Sequence, residues 1–233
     1  MTLVLLHGFA GSPASWDDVV ALLPPSLDIL RPTLAGHDGT PPPASWEDEV
    51  ARLAALVPDG AHLCGYSLGA RLALGILARH PHRSRRATLA SAHPGLLAPA
   101  DRAARADDDE RWARRLEAGG LAHFSAAWDA HPLFAGLPAA ARAARTAGRA
   151  RHDARSLAAS MRALSLARMP AHPPDASDTP LTLLVGAHDT KFRALAARLP
   201  HATVEVVAHA GHDLLHENPA AVAAAICRED ASC

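Results

Sequence analysis

The chain has 233 residues, 49% of them hydrophobic and 20% charged, and its formal net charge is -1 at pH 7. This length fits one α/β domain with an insertion, with two small domains as the alternative, and it is long enough to enclose a large core. Because acidic and basic residues nearly cancel, the composition is that of an ordinary soluble globular protein. It gives no indication of a nucleic-acid partner.

The basic charge is almost entirely arginine, and Lys191 is the single lysine of the sequence. Alanine is also very abundant, and a GC-rich genome explains both biases. The excess of arginine alone therefore does not indicate an anion-binding protein.

The cysteines and the first residues bear on the cellular compartment. Cys64, Cys227 and Cys233 are an odd number of thiols in no metal-binding or redox spacing, which favours buried or terminal thiols. Residues 1–7 lack a basic leader and a cleavage site, and no apolar run reaches the ~18 residues of a membrane helix. We therefore expect a cytoplasmic protein without a membrane partner.

Strands and helices alternate through the first 91 residues. Two patterns of the capping-box type, Ser15-Trp16-Asp17-Asp18 and Ser45-Trp46-Glu47-Asp48, predict helix starts. Such alternation favours right-handed βαβ units and a mostly parallel sheet flanked by helices. The predicted strands cover residues 2–6, 27–31, 61–64 and 87–91, and the predicted helices cover residues 15–23, 45–57 and 71–77.

The pattern changes over residues 94–174, where β-branched runs vanish and alanine, arginine and leucine recur with helical spacing. Breaks at Gly119-Gly120, Pro132 and Pro138 predict several helices in this stretch. The alternation then resumes with strands over 181–185 and 203–207 and helices over 192–199 and 219–227. We predict an α/β core of residues 1–93 and 176–233, with a helical cap of residues 94–175 inserted in it.

The pentapeptide Gly65-Tyr66-Ser67-Leu68-Gly69 lies between a predicted buried strand and a predicted helix. This is the context of a G-x-S-x-G nucleophile elbow, in which a strained turn lifts the serine hydroxyl clear of the sheet. Small residues recur in any turn, so the string alone is equally compatible with an ordinary turn. Other residues must decide between the two interpretations.

A serine hydroxyl becomes reactive when a histidine takes its proton and a carboxylate orients that histidine. Asp189 and His212 each follow a predicted strand, and they succeed Ser67 in the order serine, acid, histidine. Taken singly, Asp189 is also compatible with a helix N-cap and His212 with a surface loop. Taken together in this order they predict a catalytic triad, whereas His209 and His216 lack the same position after a glycine at the strand exit.

A zinc site is the other histidine chemistry to consider. The sequence contains no H-E-x-x-H, and the pair His209 and His212 has no evident third and fourth ligand. We predict no metal site.

The loop His7-Gly8-Phe9-Ala10-Gly11 follows the first predicted strand. In folds with a serine elbow, this loop and the residue after the serine supply the two backbone amides of the oxyanion hole. The predicted donors are the amides of Phe9 and Leu68. His7 itself is equally compatible with a purely structural role in the loop.

The loop His7-Gly8-Phe9, the elbow, Asp189 and His212 together resemble the α/β-hydrolase fold, over the whole chain. More specific strings resemble the family of 2-succinyl-6-hydroxy-2,4-cyclohexadiene-1-carboxylate synthases of menaquinone biosynthesis. These strings are His93-Pro94-Gly95-Leu96, Glu110-Arg111-Trp112, Phe124 through Trp128, Pro132-Leu133-Phe134-Ala135-Gly136-Leu137, Ser165-Leu166-Ala167, Asp189-Thr190-Lys191-Phe192-Arg193-Ala194-Leu195-Ala196, Ala210-Gly211-His212 and His216-Glu217-Asn218-Pro219.

The resemblance implies a substrate with several carboxylates that arginines hold. Arg71, Arg105 and Arg149 match those arginines by position, and a guanidinium fits a carboxylate better than an ammonium does. Arg71 lies one helical turn after Ser67, which favours a place in the same pocket. Solvent-facing helix charge is the alternative for Arg105 and Arg149, and the poor match around Arg149 leaves Arg151 as a rival.

The resemblance also implies pocket positions for Tyr66 and Trp128, although Trp128 is equally compatible with the cap core. It implies a carbon-oxygen lyase that needs no cofactor or metal and eliminates pyruvate after Ser67 abstracts a proton. We expect a small polycarboxylate substrate and a monomer or weak homo-oligomer. A serine carboxylesterase or C–C bond hydrolase with a covalent Ser67 is the alternative function, followed by a non-catalytic ligand-binding protein.

Overall fold

The computed structural model describes residues 2–134, 136–172 and 178–228. Its centre is one six-stranded sheet in the order β2-β1-β3-β4-β5-β6, and every neighbouring pair of strands is parallel. The predicted parallel sheet is thus confirmed. The strands are β1 (Thr2–Leu6), β2 (Asp28–Leu30), β3 (Ala61–Tyr66), β4 (Ser84–Ala90), β5 (Leu181–Gly186) and β6 (Thr203–Val207).

The helices lie on both faces of the sheet and in the stretch between β4 and β5. None of those within the described ranges is both long and apolar enough to cross a bilayer. The helices are α1 (Asp17–Val20), α2 (Trp46–Leu56), α3 (Leu68–Arg79), α4 (Pro99–Asp129), α5 (Ala139–Arg149), α6 (Ala154–Ala163), α7 (Thr190–Ala196), α8 (Leu214–Glu217) and α9 (Pro219–Arg228).

Strand β1 shows how the sheet separates two cores. Val4 and Leu6 pack into the cluster that includes α2, α3 and α7, whereas Leu3 and Leu5 pack into the cluster that includes α1, α8 and α9. Successive side chains of a strand point to opposite faces, so a run that is apolar throughout is buried on both sides. Strand β1 is therefore covered on both faces, whereas Val204 and Val206 of the edge strand β6 are exposed.

The two predicted helix starts have different outcomes. Ser45 is the N-cap of α2, and its hydroxyl accepts a hydrogen bond from the Asp48 amide at 3.1 Å. The first helix is shorter than predicted, because α1 covers only Asp17–Val20 after a 3-10 turn at Pro13–Trp16. The Ser15 hydroxyl accepts from the Ser12 amide at 3.1 Å, so Ser15 braces that turn rather than opening a long helix.

The stretch between β4 and β5 contains helices α4, α5 and α6, as the helical insertion predicts. Helix α4 bends at Gly120, whose φ of 66° suits a residue without a Cβ. The apolar side chains that join α4 to α6 form a third core of their own. The boundary between residues 175 and 176 lies outside the described residues, so the division into a core and a cap stays a prediction.

Candidate active site

The elbow turn places Ser67 at the carboxyl end of β3, immediately before α3. Its φ of 52° and ψ of -106° are strained for a residue with a side chain, as this turn type requires. A Cβ on Gly65 would lie 2.6 Å from the Gly69 carbonyl oxygen, and one on Gly69 would lie 2.2 Å from the Leu6 carbonyl oxygen. Both glycines are thus needed for the close approach of backbones around the serine.

Ser67, His212 and Asp189 meet at this edge of the sheet. The Ser67 Oγ lies 3.2 Å from His212 Nε2, and His212 Nδ1 lies 2.9 Å from Asp189 Oδ2. His212 and Asp189 are buried, which strengthens their interaction. This geometry allows the imidazole to take a proton from the hydroxyl while the carboxylate stabilises the imidazolium.

Asp189 is also a helix N-cap, the alternative that its sequence position allows. Its Oδ1 accepts a hydrogen bond from the Phe192 amide at 3.1 Å, and α7 begins at the next residue. The two carboxylate oxygens have separate partners, so capping the helix and orienting His212 are compatible.

The loop that carries His212 is fixed from three sides. The Ser91 hydroxyl donates to the His212 carbonyl at 2.8 Å, and the Phe192 ring lies 4.5 Å from the imidazole between centroids. The Glu217 carboxylate accepts from the amides of Gly211 at 2.5 Å and Asp213 at 3.1 Å. These contacts hold the imidazole in place before a substrate binds.

The loop after β1 is held by neutral histidines. His37 Nδ1 lies 3.1 Å from the Ala35 carbonyl, which fixes the tautomer in which Nε2 accepts from the Ala10 amide at 3.0 Å. His7 Nε2 accepts from the Leu34 amide at 3.1 Å. Burial lowers the pKa of His7 to about 4 and the pKa of His37 well below its usual value, so both rings stay neutral.

The two candidate oxyanion donors flank the serine. Leu68 is the first residue of α3, where amides lack an intrahelical partner. Within residues 2–134, 136–172 and 178–228, no acceptor pairs with the Phe9 amide. Both amides are thus available for a developing negative charge, although their role stays a prediction.

Two cavities meet at the candidate triad. The inner cavity, of about 110 Å³, is lined by Ser67 and His212 and by residues of α3 and of the cap. The outer cavity, of about 620 Å³, is lined by Asp189 and His212 and by residues 131–133. His212 belongs to both, so a molecule that enters the outer cavity reaches the imidazole directly.

Arg71 lines the inner cavity beside Ser67, as its position one helical turn later predicts. Its guanidinium donates to the Leu164 carbonyl at 3.1 Å and lies 5.6 Å from the Trp46 ring. Burial and the nearby Arg105 lower the pKa of Arg71 to about 9. Since no described carboxylate forms an ion pair with it, its charge is left for an anionic ligand.

Arg105 and Trp128 also line the inner cavity. Arg105 forms an ion pair with Asp109 at 2.8 Å, so a carboxylate of its own helix already balances its charge. Trp128 stacks on Phe124, with 5.2 Å between centroids, and its buried indole nitrogen has no hydrogen-bond partner among the residues that the structure describes. Trp128 therefore belongs to the cap core and to the cavity wall at once.

Three other predicted pocket residues lie elsewhere. Arg149 is buried in a two-pronged ion pair with Asp129, at 2.8 and 2.6 Å, and does not line the inner cavity. Tyr66 and Arg151 line another cleft, of about 410 Å³, which borders the loop after β1. The positions of these three residues therefore do not support their predicted contacts with the substrate.

Several residues at the site escaped the sequence analysis. Arg145 of α5 forms an ion pair with buried Asp213, next to His212, and its guanidinium lies 4.0 Å from the centroid of the Phe134 ring. Ser91 is joined to His212 across 121 residues of sequence. Contacts this distant leave no local pattern, so no sequence signal could have found them.

The residues present do not form an evident metal centre. Among residues 2–134, 136–172 and 178–228, no three histidine, cysteine, aspartate or glutamate side chains are placed to hold one ion.

Comparison with known proteins agrees with this architecture. Residues 3–225 match the alpha/beta hydrolase family. The chain is similar to the 2-succinyl-6-hydroxy-2,4-cyclohexadiene-1-carboxylate synthase of Enterobacter sp. (strain 638), with 38% identity over 97% of this chain and 90% of the relative. A synthase of the same name from Klebsiella pneumoniae (strain 342) is 35% identical over 97% of this chain and 92% of its own.

Solved structures share the fold at lower identity. MenH from S. aureus superposes with a TM-score of 0.90 at 22% identity, covering 98% of this chain and 92% of its own. Likeness at this identity shows the α/β-hydrolase fold alone, whereas the curated relatives show the narrower group. The chain therefore belongs to the 2-succinyl-6-hydroxy-2,4-cyclohexadiene-1-carboxylate synthase family, within the alpha/beta hydrolase family.

Proposed function

We propose that this chain is a carbon-oxygen lyase of menaquinone biosynthesis. It eliminates pyruvate from a succinyl-enolpyruvyl-cyclohexene carboxylate and forms 2-succinyl-6-hydroxy-2,4-cyclohexadiene-1-carboxylate. Arg71 carries the proposal on the structural side, because a half-buried guanidinium without an ion pair to any described carboxylate lines the same cavity as Ser67. A carboxylate of the substrate supplies the negative counter-charge for this guanidinium.

In the proposed mechanism, Ser67 acts as a base. His212, oriented by Asp189, accepts the hydroxyl proton as the Ser67 oxygen removes a proton from a carbon of the cyclohexene substrate. The electron pair of the broken C–H bond enters the ring as a new double bond, and the bond between the ring carbon and the enolpyruvyl oxygen breaks. The His212 imidazolium returns its proton to the expelled enolpyruvate, which then tautomerises to pyruvate. The amides of Phe9 and Leu68 stabilise the developing enolate, and such a donor contributes about 3 kcal/mol in the transition state.

Arg71 and Arg105 orient the substrate carboxylates within the inner cavity. A hydrogen bond to a charged group contributes about 1.5–3 kcal/mol, and it counts fully where water is excluded. Trp128 supplies an apolar wall to the same cavity. The chemistry uses only these side chains and amides and assigns no role to a cofactor or a metal ion.

The proposal includes a cytoplasmic protein, because the proposed substrate is a small soluble acid. A monomer or weak homo-oligomer suffices, since one chain contributes every residue named in the mechanism. Neither nucleic acid nor a membrane enters the reaction.

The direct test supplies the purified protein with the enolpyruvyl intermediate and measures pyruvate. We expect rapid release by the wild-type protein and a rate lower by at least about 10³-fold for Ser67→Ala, as for the loss of a triad member. Circular dichroism checks that the variant is folded. No pyruvate from the wild-type protein, with rapid hydrolysis of a neutral short-chain ester, would contradict the lyase assignment.

A serine hydrolase is the second candidate, because the triad geometry suits a covalent nucleophile equally well. A thermophilic esterase from Thermogutta terrifontis shares the fold with a TM-score of 0.80 at 20% identity. The two mechanisms differ in whether an adduct forms. An acyl-enzyme on Ser67 that accumulates with the natural substrate would favour the hydrolase, whereas turnover without an adduct favours proton abstraction.

A further inference from the structure

Lys191 is the one lysine in a sequence with 23 lysine and arginine residues. A codon bias toward arginine acts on every basic position, so a position that has kept lysine is informative. An ammonium is a compact charge on a flexible stem, whereas a guanidinium is a wider planar fork. Lys191 thus marks a place where a narrow cation is favoured.

The place of Lys191 is the junction of the two cavities. It lines the inner cavity together with Ser67 and Arg71, and it lines the outer cavity together with Asp189. Among the residues that the structure describes, Leu133 and His212 are the only others that line both. Lys191 therefore lies on the rim through which the outer cavity leads to the candidate triad.

Lys191 has no evident role in the stability of the fold. Its side chain is exposed, and none of the residues described in the structure accepts a hydrogen bond or ion pair from its ammonium. It also lies in the first turn of α7, where the partial positive charge of the helix end disfavours a cation. Arg105 differs in this respect, because Asp109 balances its charge.

The charge of Lys191 affects a side chain that lines the inner cavity. His93 lines that cavity, and its pKa is lowered to about 3 by burial and then by the charges of Arg71 and Lys191. Arg71 and Lys191 thus contribute to one positive field, with Arg71 on the inner wall and Lys191 on the rim. Two separated cations suit a ligand with two separated carboxylates.

We propose that the Lys191 ammonium binds a carboxylate of the substrate at the rim between the outer and the inner cavity, while Arg71 binds another carboxylate inside. The inference rests on the proposed function, which supplies a substrate with several carboxylates. No bond that forms or breaks in the reaction involves this ammonium. Its contact is equally strong in the ground state and the transition state, so its loss raises KM and leaves kcat nearly unchanged.

The kinetic test compares Lys191→Met with Arg193→Met. Arg193 is an exposed cation two residues along the same helix, and it lines neither cavity, so it controls for the general field of the protein. We expect Lys191→Met to raise KM for the enolpyruvyl substrate about tenfold, with kcat within about twofold. Lys191→Arg keeps the charge and shows a smaller rise. Equal KM values for the two methionine variants would overturn the proposal.

A binding test works without turnover, because Lys191 is the only lysine that an amine reagent can modify. The wild-type protein is treated with trinitrobenzenesulfonate with and without tricarballylate, a tricarboxylate probe, and modification of Lys191 is read by peptide mass spectrometry. We expect tricarballylate to protect Lys191 and tricarballylamide, its uncharged triamide, not to. Protection without pyruvate release would leave the rim site standing and contradict only the lyase assignment, whereas unprotected Lys191 would overturn the rim site.

Discussion

Asp189 serves two neighbours with its two carboxylate oxygens. Oδ2 faces His212 Nδ1 at 2.9 Å, and Oδ1 accepts from the Phe192 amide at 3.1 Å. The first contact bears on chemistry, because it sets the tautomer of the imidazole, and the second bears on stability, because it caps α7. Two substitutions at this residue separate the contributions.

Asp189→Asn keeps an oxygen for the Phe192 amide but no longer stabilises an imidazolium at His212. We expect kcat to fall about 10⁴-fold, as when a triad carboxylate becomes an amide, with nearly unchanged stability. Asp189→Ala removes the cap as well and lowers the free energy of unfolding by a further ~1 kcal/mol. Pyruvate release and urea unfolding measure the two effects, and an Asn variant with wild-type kcat would exclude Asp189 as the triad acid.

At the scale of elements, the cap depends on a buried ion pair between α4 and α5. Arg149 is 1% exposed and forms its two hydrogen bonds to Asp129, which also accepts from the Thr146 hydroxyl at 2.9 Å. A buried pair contributes little net stability, but the loss of one partner leaves an uncompensated charge. Arg149 thus fixes α5, whose Arg145 reaches Asp213 beside the candidate triad.

Arg149→Met leaves the Asp129 carboxylate buried beside an apolar side chain. We expect the free energy of unfolding to fall by about 3–5 kcal/mol, and the double variant Asp129→Asn, Arg149→Met to recover most of it. Urea unfolding measures both. The kinetics of the stable double variant then test the predicted contact between Arg149 and the substrate. A KM that stays raised after stability is restored would support that contact.

At the scale of the whole molecule, the sequence predicts what local patterns encode. The elbow glycines and the loops after β3, β5 and β6 bring Ser67, Asp189 and His212 to one edge, because the carboxyl ends of parallel strands meet there. The partners of Arg149 and Arg145 depend on how the cap packs on the core. Arg149 and Asp129 are 20 positions apart and Arg145 and Asp213 are 68 apart, so no periodic sequence pattern predicts either pair.

Tertiary packing likewise determines the structural role of Ser15. The capping pattern that it begins has the same form as the one at Ser45, yet Ser15 closes a 3-10 turn and Ser45 opens an 11-residue helix. The Pro13–Trp16 turn buries Trp16 against the sheet, and that burial outweighs the local preference for a longer helix.

Buried neutral histidines make the stability of the whole molecule depend on pH. His7, His37 and His152 form a row of edge-to-face contacts, with 5.2 and 5.6 Å between successive ring centroids. Burial lowers the pKa of all three, in His7 from 6.5 to about 4. Each ring also accepts a backbone hydrogen bond that protonation at the accepting nitrogen would remove.

The sign of the effect follows from where protons bind. Between pH 6.5 and about 4 the unfolded chain protonates His7 and the folded chain does not, so the free energy of unfolding falls as the pH falls. The lowered pKa values of His37 and His152 act in the same direction below pH 6.5. Each such histidine contributes up to ~1.4 kcal/mol per pH unit within this window. Above pH 6.5 these histidines are neutral in both the folded and the unfolded state and cause no loss, and carboxylates with lowered pKa values, such as Asp213, add to the loss only below the window.

We therefore expect urea unfolding at pH 7.5, 6, 5 and 4.5 to show a slope of more than one proton between pH 6 and 4.5. His37→Gln removes one titrating ring and keeps an oxygen that can accept from the Ala10 amide, so its slope should be lower by about one proton. The comparison of slopes is independent of the absolute stability of the variant. A free energy of unfolding that stays constant from pH 7.5 to 4.5 would show that the row of histidines does not remain neutral in the fold.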